Sequence, residues 1–219
     1  MQLPNNTVIQ WAVLGGLIID LILLGFLHAL RNKWKKGKPP TAGGWVSLIA
    51  EEDGYPSLAR LQLLVWTLVV IFAFVTLSMV RILSGVSGSP TLSTNVLALL
   101  GINGASPVVS AGLSRDKYKG VVKASEPGQE KTLQYHPLYT ILQENDGFSN
   151  TRFQMLSWTI VSLIIFVFAL LNLLSNPPAD LTMLNPPDVS STLLTLTGIS
   201  QGVYLFGKGV SQPDLQKRD

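Results

Sequence analysis

Five stretches of this chain run for twenty residues or more almost without charge. That feature constrains the fold more than any motif does. The stretches are residues 8–30, 61–83, 93–112, 153–174 and 190–209. As helices rising about 1.5 Å per residue, each is long enough to cross about 30 Å of hydrocarbon. Helix is the required choice, because lipid offers an open backbone no hydrogen-bond partner. The first, second and fourth stretches are strongly apolar. The third and fifth are diluted by Gly, Ser and Thr. Composition agrees: 47% of residues are apolar and only 13% charged, against about 25% charged in soluble domains. The expected fold class is an all-α integral membrane protein with five transmembrane helices.

The charges that remain are segregated. "MQLPNNTVIQ" holds no Lys or Arg, while "RNKWKKGK" follows the first apolar run. This order is the reverse of a cleaved signal peptide and reads as a signal anchor with its N-terminus outside. Five spans then put 15 of the 16 Lys and Arg residues on the inner side, leaving only Arg81 outside. The positive-inside rule selects this orientation over its inverse. A prokaryotic cytoplasmic membrane, with the C-terminus cytoplasmic, is the expected location. The net charge of +3 thereby has a topological explanation and implies no nucleic-acid partner.

"GYPSLARLQLLVWT" at 54–67 and "GFSNTRFQMLSWT" at 147–159 share Gly, an aromatic, Ser, Arg, Gln, Leu, Trp and Thr in one order. The match extends in both directions. Glu51 and Asp53 pair with Glu144 and Asp146. Pro90, Ser93, Gly101, Ile102, Gly112 and Ser114 pair with Pro187, Ser190, Gly198, Ile199, Gly209 and Ser211. Gaps fall only at a helix entry and in a loop, where insertions are tolerated. The expected organisation is an anchor span with its basic flank (1–38), a first repeat (44–114), a basic linker (115–135), a second repeat (136–211) and a tail (212–219). Each repeat is an interfacial helix followed by a two-span hairpin. Both start on the same side, so the repeats are parallel.

The opening pair of motifs reads as two elbows, where an interfacial helix turns into a span. The first helix is expected to end near Gly54, the second near Gly147. Ser57 and Ser149 are expected N-caps of the following spans. Asp53, Arg60 and Trp66 form the first elbow, and Asp146, Arg152 and Trp158 the second. Arg holds the headgroup level, with Trp about a turn deeper.

Inside the membrane, small residues fall on one helical face. Gly101, Ala105 and Gly112 lie on the third span, and Gly198, Gly202 and Gly209 on the fifth. Such faces permit close helix packing in lipid. Polar residues lie beside them: Asn95, Asn103 and Ser106, then Thr192, Ser200 and Gln201. They read either as packing contacts or as the lining of an aqueous path. Asp20 is the one acid near the middle of a span. Ionisable groups at that depth are costly and mark functional sites. It reads as a proton or cation site, or as an interhelical lock.

Among function classes, catalysis has no support. Cysteine is absent and the two His, His28 and His136, are far apart. No phosphate loop, dinucleotide turn, zinc-protease or nucleophile-elbow motif occurs. No catalytic, cofactor-binding or metal residue is therefore expected, and the chain reads as a non-enzyme. The leading reading is a homo-oligomeric channel or pore with the third and fifth spans near its path. The alternatives are a non-conducting scaffold or anchor presenting its cytoplasmic face to a protein partner, and a small carrier using Asp20.

Overall fold

The computed structural model of the 219-residue chain describes residues 4–34, 48–49, 56–105, 141–144 and 147–210. These residues form five main helices. They are α1 (Asn6–Trp34), α2 (Leu58–Leu83), α3 (Thr94–Ala105), α4 (Asn150–Ser175) and α5 (Ser191–Val210). A 3-10 turn, Leu181–Met183, lies in the loop between α4 and α5. Helices α1, α2 and α4 are long and apolar enough to cross a membrane. Helix α3 is a shorter apolar helix over its described residues. Helix α5 spans 20 residues, but its Gly, Ser and Thr lower its hydropathy.

Ser57 and Ser149 both occupy the expected N-cap positions, but only Ser149 makes a side-chain cap bond and the Ser57 hydroxyl makes none. Ser57 and Ser149 are extended, with φ/ψ of −104°/126° and −99°/110°. The Ser149 hydroxyl accepts from the Arg152 amide at 3.4 Å. The Ser57 amide donates to the Ile49 carbonyl at 2.8 Å, and the Ser149 amide to the Leu142 carbonyl at 2.9 Å. These two bonds join sequence-matched positions. Helix α2 ends as its Gly85 dictates. That residue takes φ +73°, its amide bonds the Ile82 carbonyl, and the Val86 amide bonds Arg81. This pattern closes a helix through a left-handed residue.

One elbow departs from expectation. A helix running to Gly147 is replaced by two short antiparallel strands, β1 (Gln143–Glu144) and β2 (Gly147–Phe148). The sequence between them, Asn145-Asp146 before Gly147, is turn chemistry that favours a hairpin over a helix. Of the expected interfacial helices, residues 48–49 and 141–142 are described, the latter pair as helix; the remainder, with Asp53 and Asp146, lies outside the described residues. So do Ser106 and Gly112.

The helices pack as two hairpins, with α1 laid against the first of them. Helix α1 packs on α2, α4 on α5, and α2 on α4. The buried face of α2 carries Gln62, Trp66, Val70, Ala73, Leu77 and Val80. That of α4 carries Met155, Thr159, Ser162, Phe166, Leu170 and Leu174. Both repeat at three- and four-residue steps, so each is one helical face. The Trp66 ring meets Phe166 edge-on, with centroids 5.9 Å apart and planes at 82°, a favoured aromatic geometry. Val96 and Leu99 of α3 and Leu193 and Leu194 of α5 complete this core.

The tightest helix approach lies between α1 and α2. A Cβ on Gly16 would stand 2.4 Å from Thr76 Oγ1 and 3.0 Å from the Phe72 ring. A Cβ on Gly15 would meet only the end of Met79, which can swing away. Thr76 is β-branched and fully buried, so it cannot move aside. Gly16→Ala is therefore expected to lower stability by about 1–3 kcal/mol, as overpacking does. Gly15→Ala is expected to cost less. Thermal unfolding of the two variants in detergent checks the order.

Candidate functional site

Four polar side chains from four helices meet inside the bundle. They are Gln62 of α2, Asn103 of α3, Thr159 of α4 and Gln201 of α5, and none is more than 4% exposed. The Gln62 side-chain amide donates to the Thr159 hydroxyl and, at 3.2 Å, to the Met155 carbonyl. The Gln201 amide donates to Asn103 Oδ1 and, at 3.5 Å, to Gln62 Oε1. Asn103 donates to the Leu99 carbonyl at 2.9 Å, and Thr159 to Met155 at 2.9 Å. The amides act as both donors and acceptors, so a small set of side chains satisfies itself.

Local sequence explains why these groups point inward. Gln62 is the polar member of the buried α2 face, one turn before Trp66. Asn103 lies one turn beyond Leu99, which is fully buried. Gln201 follows Ser200 and Thr197 on the buried side of α5. Gly198 faces α3, where a Cβ would meet Ile102 Cδ1 at an ordinary contact distance of 3.7 Å, so this contact does not require glycine. In lipid, burial of apolar surface does not drive helices together, so packing and such bonds must do so.

The other expected site residues fall in different places. Asn95 lies near the loop end of α3, where it donates to Asp188 at 3.0 Å. Asp188 also accepts from Ser93, whose hydroxyl accepts in turn from the Val96 amide at 3.1 Å as an N-cap. Thr192, Gly101, Ala105 and Gly202 are exposed, and open space lies over Gly101 and Gly202. Gly209 lies in the last turns of α5. Arg152 donates to the Ile141 carbonyl at 3.3 Å. Leu58, Ile141 and Met155 form a second apolar cluster that brings the two elbows together. Trp66 is fully buried in the bundle, whereas Trp158 is partly exposed. Asp20 is partly buried in α1, and its Oδ1 has no hydrogen-bond partner among the described residues.

The residue that sequence reasoning passed over is Arg81. This residue is 4% exposed at the loop end of α2. It donates to the Ser89 carbonyl at 3.0 Å, the Thr182 carbonyl at 2.5 Å and Asn185 Oδ1 at 3.2 Å. Asn185 Oδ1 also accepts from the Thr91 amide at 2.9 Å. The two interhelical loops are thus bonded through one cation and one amide. The signal was present in the charge map, because Arg81 is the single base that five spans leave outside.

Asp180 stands in the same loop. Its carboxylate accepts from the Thr182 hydroxyl at 2.7 Å and the Thr182 amide at 2.9 Å. These bonds, with a smaller contribution from the Arg81 charge, hold its pKa below the ordinary aspartate value. No cluster of three or more metal-ligating side chains occurs among the described residues. Comparisons with protein-family models, curated proteins and solved structures returned no match.

The polar clasp predicts a contrast between a buried and an exposed glutamine. Gln201→Leu strips a partner from Asn103 and Gln62, and is expected to cost about 1–2 kcal/mol in a membrane-like environment. Gln154→Leu alters the exposed sequence counterpart of Gln62 and is expected to change stability by less than about 0.5 kcal/mol. Unfolding of both variants in mixed micelles checks this. A second expectation concerns pH. A carboxylate with a depressed folded pKa stabilises above its unfolded value, and that contribution is lost as pH falls through the folded value. The Asp180 turn is therefore expected to loosen only below the ordinary aspartate range. Exchange of the Thr182 amide across an acid titration checks it.

Proposed function

We propose that this chain is a non-conducting membrane scaffold or anchor that presents its cytoplasmic face to a protein partner. One observation carries the reading. Gln62, Asn103, Thr159 and Gln201, from α2, α3, α4 and α5, are spent on one another in a buried clasp. A path through a single chain needs polar groups that face water, and these face each other.

The reading includes five spans with the N-terminus outside, two parallel repeats after α1, and a bacterial-type cytoplasmic membrane. The charge distribution supports the orientation. The matched amide bonds of Ser57 and Ser149 support the repeats. So does the cluster of Leu58, Ile141 and Met155, which supports reading the two elbows as one platform. On this reading the chain has no catalytic role and no cofactor.

A second reading, a pore between copies of the chain, rests on a different observation. Thr94, Gly101 and Ala105 of α3, with Thr192, Thr195 and Gly202 of α5, are exposed. Thr192, Thr195 and Gly202 share one face of α5 with Ile199 and Phe206, so hydroxyls and small residues lie among bulky apolar ones. Copies associating through these faces would place hydroxyls on a shared axis.

Flux from purified protein in liposomes separates the two readings. The scaffold reading expects ion and small-solute leak to stay at the level of empty liposomes at every protein density. Leak that rises with density and falls on Gly202→Leu would favour the pore and overturn the scaffold.

A further inference from the structure

Three polar groups beside the clasp lack a hydrogen-bond partner among the described residues. They are Trp66 Nε1, Ser162 Oγ and Ser200 Oγ. All three residues are more than nine-tenths buried, at 0%, 2% and 3% exposure. Each lies within about one helical turn of a clasp residue. Trp66 lies one turn from Gln62 toward the loop end of α2. Ser162 lies three residues from Thr159 in the same direction on α4. Ser200 precedes Gln201 on the buried side of α5. The bonds among Gln62, Thr159 and Gln201 bring those three helices into register at this depth.

The two hydroxyls, like that of Thr76 at the α1–α2 contact, differ from four others in these helices. Ser78, Ser157, Thr159 and Thr195 each donate to the carbonyl four residues earlier, at 2.7 to 2.9 Å. Ser162 and Ser200 do not use the corresponding carbonyls of Trp158 and Leu196. The indole N–H has no local carbonyl to use and needs an acceptor from elsewhere. A buried polar group left unpaired costs about 1–3 kcal/mol, so each of the three calls for a partner.

We infer that Trp66, Ser162 and Ser200 bind internal water, which extends the clasp into a hydrated polar core closed to the aqueous phases. Water is the ligand whose chemistry fits. It accepts from the indole, which can only donate, and exchanges bonds with hydroxyls that do both. Buried waters hold about three such bonds. The site stands apart from the choice between scaffold and pore, because it lies within one chain.

Two measurements test it. A structure in lipid nanodiscs, at a resolution that shows ordered solvent, is expected to place water within hydrogen-bond distance of Trp66 Nε1 and at least one hydroxyl. Both hydroxyls turned onto Trp158 and Leu196, with nothing at Nε1, would overturn the inference. The second is thermal unfolding of Ser162→Ala, Ser200→Ala and the double variant. Bridging water predicts that each single change lowers the midpoint and that the double change costs less than the sum. Raised midpoints would mean unsatisfied hydroxyls, and unchanged midpoints would mean bonds to the helix backbone. Either result contradicts the site.

Discussion

A polar side chain buried among hydrocarbon must find a partner, and in this chain four find each other. The joining of Gln62, Asn103, Thr159 and Gln201 decides how α2, α3, α4 and α5 are arranged. Apolar faces alone cannot fix such an arrangement in lipid, because a leucine is as well solvated by acyl chains as by another helix. The clasp sets register and rotation, and the aromatic contact of Trp66 with Phe166 continues that register along α2 and α4. At the loop end, Arg81 binds both interhelical loops. The bundle is held at two levels, one neutral within the span and one cationic at its margin.

Two sequence-matched hairpins take unequal surroundings in this bundle. Helix α1 lies against Phe72, Thr76 and Met79 of α2. The matched positions on α4 are Ile164, Phe168 and Leu171, and all are half-exposed or more. Phe168 stands where Thr76 admits the backbone of Gly16, so a helix could not approach α4 as closely. The inner faces differ as well: Gln62 is buried while Gln154 is exposed. Thus α2 is enclosed by protein, and α4 presents a broad apolar face suited to lipid.

The long apolar runs made the strongest elements legible. Residues 8–30, 61–83 and 153–174 fall within α1, α2 and α4, each of which extends a few residues further. The two serine N-caps were legible from their place after an elbow. What sequence could not convey was rotation. The small residues of α3 and α5 define a face, but periodicity cannot say whether that face or its polar neighbour turns inward. The polar neighbour does: Asn103, Ser200 and Gln201 are buried, and Gly101, Ala105 and Gly202 are exposed. Asn95 was read with them because it shares their helix, yet it lies close enough to the loop end to reach Asp188. The close glycine contact was missed because "GG" in α1 has no counterpart in the repeats. The hairpin before α4 was missed because an apolar-to-acidic run outweighed the Asn-Asp-Gly turn within it.

On the scaffold reading, the polar level of the bundle is closed to bulk water. The chain has no cysteine, so single cysteines can be introduced without competing thiols. Thr159→Cys and Ser200→Cys place a thiol in the buried level, and Met183→Cys places one on the exposed loop, where Met183 is 70% exposed. Labelling in membranes with a charged, water-soluble thiol reagent is the most direct measurement. The account predicts rapid modification at 183 and none at 159 or 200 over the same period. Modification at 159 or 200 at a rate near that of 183 would mean an aqueous path through the chain, and would contradict it.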